Sequence, residues 1–476
     1  MTLDERLAAV RPAERQIRFQ QLEFYAFVHF TVNTFTDREW GDGTEDPAVF
    51  CPTALDAAQW VRTVKAAGMK GLILTCKHHD GFCLWPSAYT EHSVAASPWK
   101  DGKGDVVREV SEECRKQGIR FGVYLSPWDR HSPLYGQGKP YDDYFVGQLT
   151  ELLTNYGEIF CVWFDGACGE GPNGKRQVYD WDRYYEVIRR LQPEACINVC
   201  GPDIRWCGNE AGDTRKAEWS VVPLRMRDTE KIAADSQQSD DETFRQRKLR
   251  AQDADLGSRE VLREETELIW YPAEVNTSIR PGWFFHAHEN DKVKPLSELI
   301  RIYENSTGGN ATFLLNLPPD RRGRIHENDE ARLKELGDYL RAAFRKNLLD
   351  QAVLFAGSGD PSALRTDDYE SFWMPEHIDM GEGDAFIEVR FAASADIGYL
   401  VLKENLRMGQ RVERFAVDVL TENGMSTVYE GTVIGYRRIV RLDRKILAFR
   451  IRILDSRTAP ALSFIGAYER VPGQPQ

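Results

Sequence analysis

A chain of 476 residues, 42% hydrophobic and 28% charged, is too long for one ordinary core. It reads as a globular, soluble protein of two domains, or of one large domain with an appendage. The formal net charge of −13 argues against nucleic acid and anionic membranes as partners, since both recognise basic patches. No apolar run approaches a membrane span. Nine cysteines lie between Cys51 and Cys207. Their odd number and the lack of a Cys-x-x-Cys pair argue against a disulfide framework or zinc site and suit a reducing compartment. The opening MTLDERLAAVRPAERQ has no apolar signal core. The expected location is cytoplasmic if this N-terminus is native, and secreted or periplasmic if a signal peptide was removed.

Along the first 347 residues, apolar runs alternate with helical patterns. The runs are FYAFVHF (24–30), GLILTC (71–76), RFGVYLS (120–126), IFCVWFD (159–165), CINVC (196–200), AEWS (217–220), WYPAEVN (270–276) and ATFLLNL (311–317). Such continuous runs predict strands covered on both faces, as in a parallel sheet. Between the first two, Thr53-x-x-Asp56 resembles a capping box, followed by an apolar helix face that stops at Gly68. Further helices are predicted over about 104–117 and 142–156. Eight strands alternating with helices predict a (β/α)8-like TIM barrel over 1–347. A charged stretch at 221–265 reads as a partly helical insertion over one barrel end. From 348 to 476 the pattern changes. FIEVRF, FAVDVL and FRIRIL alternate apolar with polar residues, and Asn423-Gly424 signals a hairpin. These features predict an antiparallel β-sandwich.

Barrel chemistry sits at the C-terminal ends of the strands. There the sequence sets His29, then Lys77-His78-His79-Asp80, then Tyr124, Ser126 and Trp128, then Trp163-Phe164-Asp165. Asp165 closes a strongly apolar strand, where a carboxylate is costly unless paired or functional. It also suits a helix N-cap. Adjacent strand residues point to opposite faces, so His78 and His79 would not share one metal if the strand continued. The lone His-x-His, His286-Ala287-His288, lies late in the chain before a charged loop, and no metal or other cofactor is expected. Trp40, Trp85, Trp128, Trp163, Trp206 and Trp283 lie near strand ends. Such rings stack on apolar sugar faces, or fill loop cores. A glycosidase needs a second carboxylate. Glu210 is the leading partner for Asp165, because Trp206 can desolvate it and raise its pKa, as a general acid requires. Glu218 and Glu274 are alternatives.

FVHFTVNTF, KHHDGFCLW, GVYLSPWDR and VWFDGACGEG resemble glycoside hydrolase family 29, the α-L-fucosidases, over most of residues 20–320. DIRWCGNEAG and IRPGWFFH resemble the branch acting on α-1,3- and α-1,4-linked fucose. The resemblance implies a retaining exo-α-L-fucosidase acting on fucosylated oligosaccharides or glycoconjugates. Asp165 matches the nucleophile position and Glu210 the acid/base motif of that branch. His29, His78, His79 and Tyr124 match fucose-pocket motifs, Trp163 and Trp283 would wall the pocket, and Arg280 is a further contact. The family's opening motif continues His-Trp-Gly, whereas this chain reads His29-Phe30-Thr31. A broader α-L-fucosidase, a silent fucose-binding protein and a metal-dependent hydrolase remain the rival readings.

Overall fold

The computed structural model describes residues 1–249, 255–376 and 385–471. Eight strands form a parallel sheet curled into a barrel: β1 (Phe24–Val28), β2 (Gly71–Lys77), β3 (Arg120–Leu125), β4 (Cys161–Phe164), β5 (Cys196–Val199), β6 (Arg205–Trp206), β9 (Ala273–Ser278) and β10 (Ala311–Asn316). The sheet runs β5-β4-β3-β2-β1-β10-β9-β6. Among the described residues an isolated bridge between Asn198 and Ile204 joins its two ends, so the barrel is nearly closed. Alternation along β1 shows why the strands are apolar throughout. Phe24, Ala26 and Val28 pack outward into the main core, whereas Tyr25 and Phe27 pack inward with Ile73, Tyr124 and Trp163.

The expected sixth strand is corrected. Residues 217–220 do not enter the barrel; the sixth position is the two-residue β6. The run WYPAEVN is also two elements. Trp270 ends β8 (Leu268–Trp270), which pairs antiparallel with β7 (Val221–Pro223) outside the barrel, and β9 starts at Ala273. Short apolar windows at this junction hold too few residues for periodicity to separate them.

The helix Ala57–Ala66 starts three residues later than a capping box at Thr53 would give. Asp56 is itself the N-cap and accepts from the Gln59 amide at 2.9 Å. The helix Val106–Gln117 is capped by Asp105 and ends at Gly118 with φ of 74°, a left-handed position that suits glycine. The insertion carries short helices at Thr229–Asp235, Glu242–Arg245 and Arg259–Leu262. No helix among the described residues is long and apolar enough to cross a membrane.

The C-terminal region is one antiparallel sheet of six strands: β11 (Ala352–Ala356), β12 (Phe386–Glu404), β13 (Val412–Thr421), β14 (Gly424–Gly431), β15 (Arg438–Ser456) and β16 (Leu462–Glu469). The 19-residue β12 and β15 pair along their whole length, with register shifts between Arg390 and Ala395 and between Ile397 and Tyr399. Their two halves serve two leaflets. One half carries β11 and β13, the other carries β16. A core including Val389, Leu400, Val417 and Ile451 fills the space between. Tyr399, Val401 and Phe464 instead join the barrel's core. Arg437 ties the sheet to the barrel through buried Glu23 at 2.6 Å.

Candidate active site

At the C-terminal end of the barrel strands lies a cavity walled by the strand ends and the loops that follow them. Seven of the nine residues singled out from the sequence line it: His29, His78, His79, Trp163, Asp165, Glu210 and Trp283.

Asp165 follows β4 directly and starts no helix, so the N-cap reading fails; the next helix begins at Trp181 and is capped by Asp180. Its carboxylate accepts from its own Ala167 amide at 2.8 Å and from the Tyr124 hydroxyl at 3.0 Å. Tyr124 thus reaches the site through Asp165, although its ring lies beneath the cavity. Burial pushes the Asp165 carboxyl above the ordinary range, against these two donors. Glu210 lies on the loop after β6, and its carboxylate accepts from the Trp283 indole at 2.9 Å. Burial pushes it up to about 7; the Trp283 bond opposes this, the charge of Asp165 adds to it, Arg245 opposes it and Glu39 adds to it. Two carboxylates therefore face one cavity, and Glu210 keeps its proton to a higher pH than an ordinary glutamate.

His78 and His79 both face the cavity, with ring centroids 4.1 Å apart. The opposite-face rule does not apply to them because β2 has already ended at Lys77. His79 Nε2 lies 3.8 Å from Asp165 Oδ2. Burial holds His29 and His79 down at about 3 and His78 well below its usual range, so all three rings are neutral.

Arg280 is a correction. Its guanidinium is fully buried against Asp329 at 2.8 Å and Asn290 at 2.9 Å, behind the site rather than in it. A cation at this strand end finds its carboxylate in the helix Glu327–Ala343, a partner 49 residues away in sequence. The alternative carboxylates are also placed outside the cavity. Glu274 lies inside the barrel, accepting from Trp163 Nε1 at 2.7 Å and Asn198 Nδ2 at 2.8 Å. Glu218 is buried against Arg205 at 2.6 Å and Arg215 at 3.3 Å.

Phe27, Glu39, Trp40, Trp206, Ser236, Gln237 and Asn276 also line the wall. Asn276 accepts from the Trp206 indole at 3.1 Å; its sequence signal was alternation with inward Glu274 on β9. Glu39 accepts from the backbone amides of Trp283 and Phe284 at 2.8 and 2.9 Å. Its signal was an acidic–aromatic pair with Trp40 in the loop after the first strand. Ser236 and Gln237 come from the insertion, where nothing in the sequence marks them. The departure at Phe30-Thr31 turns away from the cavity. Phe30 packs on Phe35, Phe50 and Trp60, and Thr31 donates to Asp80.

Among the described residues, Asp37, His286 and His288 bring their ligand atoms within 4.8 Å of one another. Both nitrogens of His286 are already taken, by Asp37 at 2.7 Å and Glu39 at 2.8 Å. Against the opposing effect of burial, these carboxylates push His286 up to about 9. It is therefore an imidazolium with no lone pair for a metal.

The sequence profile of the alpha-L-fucosidase family matches residues 13–343. The chain belongs to the alpha-L-fucosidase family. Alpha-L-fucosidase 1 of Arabidopsis thaliana is 38% identical over 473 residues, spanning 96% of this chain and 87% of that protein. A glycoside hydrolase 29 family member from an unknown rumen bacterium has 38% identity and a TM-score of 0.78, over 98% of this chain and 79% of that one. A Ruminococcus gnavus GH29 fucosidase in complex with fucose has 29% identity and a TM-score of 0.82, over 97% and 95% of the two chains. The protein is thus a glycoside hydrolase of family 29 with α-L-fucosidase activity.

Proposed function

We propose that this fucosidase removes terminal α-1,3- or α-1,4-linked L-fucose from Lewis-type glycans by retaining double displacement. Asp165 is the nucleophile and Glu210 the acid/base. An oxygen of Asp165 forms a bond to the anomeric carbon as the bond to the leaving oxygen breaks, and Glu210 gives that oxygen its proton. Glu210, now a carboxylate, then takes a proton from water. The water oxygen bonds to the anomeric carbon, and the Asp165 carboxylate leaves.

The supporting observation is the bond from the Trp283 indole to Glu210. It joins the two stretches that resemble the 1,3/1,4-acting branch, DIRWCGNEAG and IRPGWFFH, at the cavity wall. The environments of the carboxylates also fit their roles. Glu210 is pushed up to about 7 by burial and starts as an acid, while a hydroxyl and an amide oppose the rise that burial causes at Asp165. His29, His78 and His79 meet sugar hydroxyls, and Phe27, Trp40, Trp163 and Trp283 offer apolar faces to the ring and its methyl group.

The test is fucose release from a Lewis-type trisaccharide and from a 2′-fucosylated glycan, with Asp165→Ala as control and the product anomer followed by NMR. Release from the first substrate alone, with α-fucose as first product, is expected. Equal release from both makes the enzyme a broad α-L-fucosidase, β-fucose as first product excludes retention, and binding without release excludes catalysis.

A further inference from the structure

The hydrogen bonds behind the histidines have fixed directions, because each chain of bonds ends on a backbone carbonyl. Ser278 Oγ donates to the Gly282 carbonyl at 2.7 Å. Its remaining capacity is as an acceptor, and the Asn316 amide nitrogen donates to it at 2.9 Å. The same nitrogen donates to the Trp283 carbonyl at 2.8 Å. A carbonyl cannot donate, so the Asn316 amide cannot be flipped. Its oxygen therefore faces His29 Nδ1 at 2.8 Å and must accept from it. On the other side of the cavity, Ser126 Oγ donates to the Trp128 carbonyl at 2.6 Å and lies 2.7 Å from His79 Nδ1. That hydroxyl has spent its proton, so His79 Nδ1 is the donor. Asn316 and Ser126 are fully buried, and water does not compete for these bonds.

We propose that Asn316 and Ser126 are positioning residues that fix the tautomers of His29 and His79, so that both rings present an unprotonated Nε2 and the cavity requires donated protons from two free sugar hydroxyls. This rests on reading the cavity as the fucose site. The rings are neutral, so neither Nε2 gains a proton by titration. His79 Nε2 and Asp165 Oδ2 are then two neighbouring acceptors 3.8 Å apart, and a bound hydroxyl gives its one proton to one of them. His78 differs, since its Nδ1 is buried with no hydrogen-bond partner among the described residues, and its polarity is left to the ligand. The consequence is a demand for an unsubstituted terminal sugar. A hydroxyl that is acylated, alkylated or replaced by fluorine can accept a bond but cannot donate one, and leaves a buried nitrogen unpaired.

Two measurements test this. In protein labelled with ¹⁵N-histidine, with signals assigned through His29→Gln and His79→Gln, His29 and His79 should each show a protonated Nδ1 and an unprotonated Nε2. A protonated Nε2 on either ring overturns the assignment for that ring, whether or not the protein turns over fucosides. In the second measurement, kcat/KM is compared for an aryl α-L-fucoside and its 3- and 4-fluoro analogues. The 2-position is avoided because fluorine there slows the chemistry electronically. The wild type should discriminate against at least one analogue by about 10²-fold or more. Ser126→Ala should reduce that ratio at one position by about tenfold, and Asn316→Asp should reduce it at another, since a carboxylate beside Nδ1 favours the doubly protonated ring. Unchanged ratios in both variants overturn the proposal. Absence of turnover on every fucoside with the expected tautomers would instead overturn the catalytic reading.

Discussion

Glu210 and Glu218 lie eight residues apart in one connection of the barrel, the first half-buried and the second fully buried, and the fold uses them in opposite ways. Glu218 sits in a sealed turn. Burial alone would raise its pKa, but the guanidinium groups of Arg205 and Arg215 outweigh burial and hold it below the ordinary range. Glu210 sits on the cavity wall with an indole as its hydrogen-bond donor. There burial wins, and the group rises to about 7. The more deeply buried carboxylate is the one whose pKa falls, so the charge of the partner separates the structural carboxylate from the proton donor.

The comparison can be broken from the cavity side first. Asp165→Ala removes the proposed nucleophile, and with it one charge that keeps Glu210 protonated. Activity on an aryl fucoside should fall by about 10⁴-fold with the thermal midpoint retained. Glu210→Gln should cost about 10²–10⁴-fold on a natural glycan, whose poor leaving group needs the proton. In the wild type, kcat/KM should fall as pH rises through about 7, because Glu210 then loses its proton; that limb should vanish in the variant.

On the sealed side the outcome should reverse. Glu218→Gln leaves two arginines without their carboxylate and should lower unfolding free energy by about 3–5 kcal/mol, with kcat of the folded enzyme unchanged. The sign for pH follows from its lowered pKa. The ion-pair contribution is fully present above the ordinary glutamate value of 4.5 and is lost as pH falls through the folded value. Urea titrations across that range measure it. The smallest expected effect sharpens the contrast. Trp283→Phe removes the one neutral donor that lowers the Glu210 pKa, so the basic limb should move above 7, with only a several-fold change in rate at its optimum. A limb that moves downward would mean that Trp283 does not reach Glu210 in solution.

Legibility followed the same physical divide. Strands β1 to β5 were readable because each is a continuous apolar run long enough to be told from a helix. The residues just past them, His29, His78, His79 and Asp165, could be ranked because polar groups there are costly without a function. β6 is two residues long and carries no periodicity, and the stretch at 217–220 imitated a strand because it is buried for another reason. Arg280 resembled a substrate contact until Asp329, distant in sequence, took its charge.

The sequence by itself determined the alternation of strands and helices, the change of period in the C-terminal region and the positions of candidate carboxylates and imidazoles, since these depend on neighbours along the chain. Only the tertiary structure decided which glutamate faces the cavity, which faces arginine, and which buried groups stand behind His29 and His79. Those outcomes depend on partners tens to hundreds of residues away, brought within hydrogen-bond distance by closure of the barrel.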